Sequence, residues 1–244
     1  MSASLFLVPS LPSGDRYVLD GPEGHHAATV HRLRVGEELL LGDGRGGTAT
    51  AFVTAIGRGS LEVSLAARRY AGEPSPRIAV VQGIAKGGRG ELAVQSMTEV
   101  GADVIVPWAA SRSVARWRGE RGARSRDRWV ATVREAAKQA RRPWLPEVAG
   151  SPDESTSSVA ARLSAAAAGF VLHEEAALRL AAVDLPAAGD VVLVVGPEGG
   201  IDPAELKTFE AAGAVPVRLG DTVLRTSTAG VAALAVLATR LGRW

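Results

Sequence analysis

The spacing of apolar positions changes character along this chain, and the change divides it. From Glu37 to Leu65 the runs are short and strand-like: Glu37-Glu-Leu-Leu-Leu41, the small and β-branched run Thr48 to Ile56, and the strict alternation of Leu61-Glu-Val-Ser-Leu65 predict an antiparallel meander. Glu23 to Leu33, just before it, predicts a helix. After it, Gly72-Glu-Pro-Ser-Pro76 reads as a linker, because its prolines stop either kind of element from continuing. The expected division is a small β domain over 1–72 and a second domain over 73–244.

From Arg77 onward short apolar runs alternate with helical periodicity, which predicts an α/β domain with a mainly parallel sheet. The expected strands are Ile78 to Gln82, Val104 to Val106, Gly169 to Leu172, Val191 to Val195 and Val215 to Arg218. Helices are expected at Glu91 to Val100, Arg126 to Ala140, Glu175 to Ala182, Pro203 to Ala212 and Leu224 to Arg240. Ser151 to Ala168 carries little pattern; its Ser-Thr-Ser-Ser opening either caps a short helix or belongs to a loop.

Composition narrows the chemistry. The 244 residues are 46% hydrophobic and contain no cysteine, which excludes disulfides, thiolate metal sites and a cysteine nucleophile. With His25, His26, His31 and His173 as the only imidazoles, no metal is expected. The longest apolar stretch, Ala229 to Ala238, is far short of the ~20 residues of a membrane span. Met1 to Phe6 has no basic leader or cleavage pattern, so a cytoplasmic location is expected.

Net charge is only +2, yet residues 111–142 hold 11 basic and 3 acidic side chains. Arg112, Arg116, Arg118, Arg121, Arg124, Arg126, Arg128, Arg134, Lys138, Arg141 and Arg142 form this stripe, with Trp117 and Trp129 among them. Such a segment suits a polyanion such as nucleic acid. A solvated helix face is the plainer alternative, since arginine outnumbers lysine 25 to 3 throughout.

Four runs are candidates for chemistry. Gly42-Asp-Gly-Arg-Gly-Gly47 matches a dinucleotide fingerprint in letters, but a strand rather than a helix is expected after it, so it reads as a hairpin turn. Gly83-Ile-Ala-Lys-Gly-Gly-Arg-Gly90 lacks the Gly-Lys-Ser/Thr that grips phosphate and magnesium. Gly196-Pro-Glu-Gly-Gly-Ile-Asp-Pro-Ala-Glu205 puts a backbone-rich loop at the end of a buried strand, where open α/β sheets bind ligands. There Asp202 should cap a helix, with Pro203 at its first position and Glu205 completing the capping box. Glu198 and Asp202 would repel a phosphate, so a neutral or cationic ligand is expected. In Val217 to Leu234, Arg225 stands at a helix entrance, where the macrodipole disfavours a cation without an anionic partner; a ligand or a salt bridge with Glu198 would serve.

Together these runs resemble the SPOUT methyltransferases, and along nearly the whole chain the RsmE family of 16S rRNA uracil-N3 methyltransferases. The matching positions are His25-His26, Val30-His-Arg32 and Arg34-Val-Gly36; then Lys86, Arg89, Glu91, Gln95, Glu99 and Gly101; then Glu135-Ala-Ala-Lys-Gln139, Arg142 and Pro146-Glu147. The most specific are Leu172-His-Glu174, Gly196 to Gly200, and Leu219 to Ala229. Three departures stand out: no arginine in Ser2 to Phe6, Ala140-Arg-Arg142 after the glutamine, and Ser227 where the family usually has glutamate after Leu-Arg-Thr.

The resemblance implies an α/β SPOUT-type domain with a trefoil-knotted, mainly parallel sheet, preceded by a small PUA-like β-barrel domain. It implies S-adenosylmethionine as cofactor, held by Leu172, His173, Glu174, Gly196, Pro197, Glu198, Gly199, Gly200, Ile201, Leu219, Gly220, Val223, Leu224, Arg225, Thr226 and Ala229. It also implies a homodimer that methylates N3 of a uridine in 16S rRNA of the assembled 30S subunit, the family target being uridine 1498. Arg225 is the expected stabiliser of charge on uracil, and Glu198, Glu135 or solvent the proton acceptor. His25, His26, Arg32, Arg34, Lys86, Arg89, Arg112, Arg121, Arg124, Arg128 and Arg142 are the expected RNA contacts. The competing readings are another SPOUT activity, on a different RNA or a ribose 2′-oxygen, and a non-catalytic RNA-binding assembly factor.

Overall fold

The structure, a computed structural model, describes residues 3–244; Met1 and Ser2, part of the stretch in which neither a leader pattern nor an arginine is found, lie outside the described residues. The chain forms two compact units. The first comprises 1–73 together with 137–145, the second 74–136 with 146–244. The short return of 137–145 to the first unit differs from a single division at 72, because that segment's partners are far away in sequence. Gly46 N–H donates to the Pro143 carbonyl, Leu145 N–H to Gly44 and the Trp144 indole to Ala71.

The first unit is a five-stranded sheet in the order β1-β3-β4-β5-β2. Its strands are β1 (Ser4–Leu7), β2 (Arg16–Leu19), β3 (Glu38–Gly42), β4 (Gly47–Gly57) and β5 (Ser60–Tyr70). The expected meander is β3 to β5, with β5 running five residues past Leu65. The pattern did not reveal β1 and β2: four residues each is too short for alternation to register, and β1 lies parallel to β3. One face of the sheet is a core of Phe6, Leu39, Leu41, Ala51, Val53, Leu61 and Val63.

Gly42 to Gly47 is a turn. The Asp43 carboxylate accepts the N–H groups of Arg45 and Gly47, as an Asx turn does. The expected helix over 23–33 is shorter, consisting of α1 (Gly21–His25) followed by one wider π-helical turn, His26–Val30. It stops because His31 N–H bonds back to the His26 carbonyl and Arg32 takes a φ of 53°, which breaks the helical path.

The second unit is a six-stranded sheet, parallel throughout, in the order β11-β9-β10-β6-β7-β8. Its strands are β6 (Arg77–Gly83), β7 (Val104–Trp108), β8 (Glu147–Val148), β9 (Ala168–Leu172), β10 (Asp190–Val195) and β11 (Val215–Val217). The helices are α2 (Arg89–Val100), α3 (Gly119–Gln139), α4 (Thr156–Ala165), α5 (Pro203–Ala211) and α6 (Thr226–Arg240). Strands buried on both faces explain the unbroken apolar runs. Ile78, Val80, Leu193 and Val195 pack with α2 and α6, while Val81, Val192 and Val194 pack with α4 and α5.

The uninformative stretch 151–168 contains α4, whose cap is Ser155: its side chain accepts the Ser158 N–H. The helix expected over Glu175 to Ala182 is absent; only Leu180–Ala182 forms a single 3-10 turn. Its alanines and leucines favour helix, but its backbone is recruited by Arg218, just after β11. Arg218 N–H donates to the Leu178 carbonyl and Leu180 N–H to the Arg218 carbonyl, so tertiary pairing overrides propensity. No helix among the described residues is long and apolar enough to cross a membrane.

Candidate active site

The parallel strands β9, β10 and β11 release three loops at their carboxyl ends, and between these loops lies a cavity of about 800 Å³. All sixteen residues expected around the cofactor line it. Arg89, Arg112, Glu175, Val195, Pro203, Val217, Arg218 and Thr222 complete the wall.

The loop after β10 has its shape for local reasons. Gly200 takes a φ of +72° and donates its N–H to the Pro197 carbonyl, closing a turn that favours glycine. Gly199 lies so close to Arg112 that a Cβ would meet that residue's carbonyl oxygen at 3.0 Å. Beyond the turn the expected cap forms in full: the Asp202 side chain accepts Ala204 N–H, and Glu205 reaches back to Asp202 N–H. Glu205 does more than the capping pattern indicates. It is buried, and it also accepts from Ser111 N–H at 2.8 Å and from the hydroxyls of Ser111 and Thr156 at 2.9 Å each. It thereby ties the start of α5 to the loop after β7 and to α4.

A buried polar chain fixes the other side of the loop. Gln82 Nε2 donates to Thr226 Oγ1 at 2.8 Å, and Thr226 Oγ1 donates to the Gly196 carbonyl at 2.7 Å. Gln82 was missed as a site residue, although a lone polar side chain ending the apolar run Ile78 to Gln82 is a signal that can be read. Its Oε1 has no hydrogen-bond partner among the described residues.

The charges arrange themselves differently from the salt bridge considered between Glu198 and Arg225. Glu198 Oε1 accepts Lys86 N–H at 3.1 Å and pairs with Arg89 at 3.3 Å. Arg112 pairs with Asp202 at 3.4 Å, and Arg218 with Asp221 at 3.6 Å. The Arg225 side chain, exposed at the N-cap position of α6, makes no hydrogen bond or ion pair among the described residues. Glu135 is exposed on α3 and takes no part in the cavity wall. Ser227, in place of the family's glutamate, is buried in the first turn of α6.

The expected RNA contacts divide between the two units. His25, His26, Arg32, Arg34 and Arg142 belong to the first, and the remainder to the second. The His26 and His31 rings lie 4.9 Å apart with Phe6 edge-on to both, so His26 also has a packing role. Burial, and then the nearby His26 and Lys138 charges, lower the His31 pKa below its usual 6.5. Within the stripe, Arg116 and Arg126 are spent on backbone carbonyls. Arg124 pairs with Glu120 and Arg128 with Glu91, while Arg121 has no side-chain partner among the described residues. No group of three or more metal-binding side chains gathers among the described residues.

Comparison with known proteins places this architecture. A family model described as an RNA methyltransferase domain matches residues 73–238, and one described as an RNA methyltransferase PUA domain matches 19–66. Ribosomal RNA small subunit methyltransferase E of Mycobacterium bovis is 47% identical over 100% of this chain and 94% of its own length. The chain belongs to the RsmE family of RNA methyltransferases. The Bacillus subtilis RsmE relative is 26% identical, over 91% of this chain and 89% of that protein. Among solved structures, the RsmE protein of Neisseria gonorrhoeae bound to S-adenosyl methionine has a TM-score of 0.84 at 27% identity, covering 98% of each chain. A Legionella pneumophila structure in complex with the same cofactor has a TM-score of 0.86 at 27% identity, again over 98% of each chain. The first unit is thus the PUA-like domain of an RsmE protein and the second its methyltransferase domain.

Proposed function

We propose that this chain transfers a methyl group from S-adenosylmethionine to N3 of a uridine in 16S rRNA, uridine 1498 being the family target, within the assembled small subunit. We place that activity in the cytoplasm and in a homodimer. The observation that carries the reading is how the cavity's arginines are used. Arg89, Arg112 and Arg218 are ion-paired, whereas Arg225 has no partner among the described residues and is left for a substrate.

The wall suits the cofactor. Loops 196–201 and 219–224 offer backbone donors and acceptors, Ile201, Leu219 and Ala229 offer apolar surface, and Glu174 and Glu198 offer negative charge to a cation. The N-terminus of α5 is satisfied by its own capping box, so nothing there calls for a phosphate. S-adenosylmethionine supplies an electrophilic methyl group on a sulfonium.

The residues of this chain then do the rest. Uracil N3 carries a proton at neutral pH, and its removal puts negative charge on O2 and O4, which Arg225 stabilises by donating N–H groups. The proton goes to Glu198, whose Oε2 accepts no hydrogen bond among the described residues, or to water. Gln82 and Thr226 hold the Gly196 carbonyl and so position the loop. Phosphate contacts from the basic stripe and the first unit supply affinity, not base choice.

The knotted path is carried over from the family; in this chain both ends of the stretch from 218 to 240 meet Leu180. Its N–H reaches the Arg218 carbonyl, just after β11, and its carbonyl accepts Arg240 Nη1 at the end of α6.

The test is transfer of labelled methyl groups to small subunits lacking the modification, with naked 16S rRNA and tRNA alongside and nucleoside analysis of the product. Labelled N3-methyluridine from the subunits is the expected result. Label in a ribose-methylated nucleoside or in tRNA assigns a different reaction, and absence of cofactor binding sinks the catalytic reading.

A further inference from the structure

A second cavity, of about 670 Å³, lies in the methyltransferase unit and takes no part in the mechanism above. Its size is within the range of small-molecule sites. Two chain segments wall both cavities. Arg89 lines the first while Gly88 and Gly90 line the second; Arg112 lines the first while Val114 lines the second. A strand of substrate leaving the first cavity would therefore meet the second.

What the second cavity presents is aromatic and cationic. Trp117 and Trp129 stand edge to face with ring centroids 4.9 Å apart; Trp129 is buried, and Trp117 is half-buried. The Trp129 indole N–H donates no hydrogen bond among the described residues, although only 1% of that side chain's residue is exposed. Gly90 is what lets this ring in, since a Cβ there would stand 3.2 Å from Trp129 Cζ2. At the rim, Arg121 has no side-chain partner among the described residues, and Arg128, 64% exposed, is paired only on its Nε and Nη2 side, with Glu91 and Ser125. No side chain caps the first turn of α2 beside it.

An aromatic wall, an unused indole donor and two arginines are the parts of a single-strand nucleotide site: a base has a face to stack and an edge to bond, and its phosphate takes the cations. We propose that this cavity receives an unpaired nucleotide of the RNA substrate flanking the methylated one, with its base against Trp117 and its phosphate on Arg121 and Arg128. The inference rests on the proposed RNA methylation only for the identity of the strand.

Full-length protein and hexauridylate provide the test, with S-adenosylmethionine affinity measured alongside. Trp117→Ala should weaken hexauridylate binding about tenfold, the loss of one base–aromatic stack, and Trp117→Phe should restore most of it. S-adenosylmethionine affinity should stay within about twofold, because neither residue lines the first cavity. Arg121→Glu alters an exposed, unpartnered side chain and leaves folding intact, so it decides the matter if Trp117→Ala does not fold; it should weaken binding and flatten its salt dependence. Unchanged affinity in Arg121→Glu, or in folded Trp117→Ala, overturns the proposal.

Cross-linking separates the two readings. Hexauridylate carrying 4-thiouridine should mark peptides within 114–129. Marking there without methylation of any RNA would overturn the proposed function and support the subsite. Methylated 16S rRNA with no marking there would overturn the subsite alone.

Discussion

Gly83, the last residue of β6, offers a steric test of how the cavity is held. A Cβ at this position would stand 2.6 Å from Pro197 N, 2.8 Å from Pro197 Cδ and 2.9 Å from the Gly196 carbonyl carbon. These are backbone and ring atoms of the loop on the cavity wall, not the ends of flexible side chains. Ordinary contact begins at 3.4 Å, so Gly83→Ala drives the strand and the loop apart by about 0.8 Å. Gly83 does not have a positive φ, so alanine adds no backbone strain there; the entropy it removes from the unfolded chain is shared by the control below.

Overpacking of this kind costs about 1–3 kcal/mol. For a domain of this size that is a fall in Tm of roughly 2–12 °C. Displacement by nearly an ångström of a loop that orients substrate also costs up to about a hundredfold in rate. The control is Gly88→Ala, in the same connection, where a Cβ meets nothing within 4 Å and φ is already −71°. Calorimetry for Tm and titration for S-adenosylmethionine affinity should show a loss in Gly83→Ala and almost none in Gly88→Ala, and a methyl-transfer assay should show a loss in Gly83→Ala. If both variants keep the parent Tm and affinity, or both lose them equally, close approach of β6 to the 196–197 loop is not what holds the site.

Arg225→Ala should lower turnover about a hundredfold or more while leaving cofactor affinity within a few-fold, as removal of a donor used mainly in the transition state does; parent-like turnover would take Arg225 out of the mechanism. Thr226→Val deletes the link from Gln82 to the Gly196 carbonyl and strands buried polar groups, so unfolding stability should drop by about 2 kcal/mol in denaturant titration. Thr226→Ser should retain most of it, and a neutral Thr226→Val would show that the chain of hydrogen bonds is not needed. His31 has a folded pKa lowered from 6.5, so the unfolded state binds its proton more readily: its contribution is present above 6.5 and is lost as pH falls through the folded value. Stability should therefore decline below pH 6.5, and less steeply in His31→Gln; identical slopes would assign the decline to other groups.

Several features of the protein were legible in its sequence because their causes are local. Strict alternation marked β5, the short apolar run and the small and β-branched run before it marked β3 and β4, and two-sided apolar runs marked the buried strands, since a strand's pattern records only which of its faces are wet. Asp202, Pro203 and Glu205 announced the start of α5 within four residues, and Asp43 announced the turn after β3. The motifs at 172–174, 196–200 and 219–229 carried the family, and thereby the set of residues that meet around one cavity.

The tertiary structure decided whatever depends on partners distant in the chain. A helix-favouring stretch at 175–182 became an irregular segment because Arg218, just after β11, claims its backbone groups. Residues 137–145 joined the first unit through bonds to Gly44, Gly46 and Ala71. Glu198 took Arg89 and not Arg225, which left the Arg225 side chain without an ion pair among the described residues. Glu205, a capping residue to a reader of the sequence, also binds two other segments. A side chain's own neighbours fix its local conformation, but the choice among several distant charges or carbonyls of equal chemistry is made only by the geometry in which the sheet and helices pack.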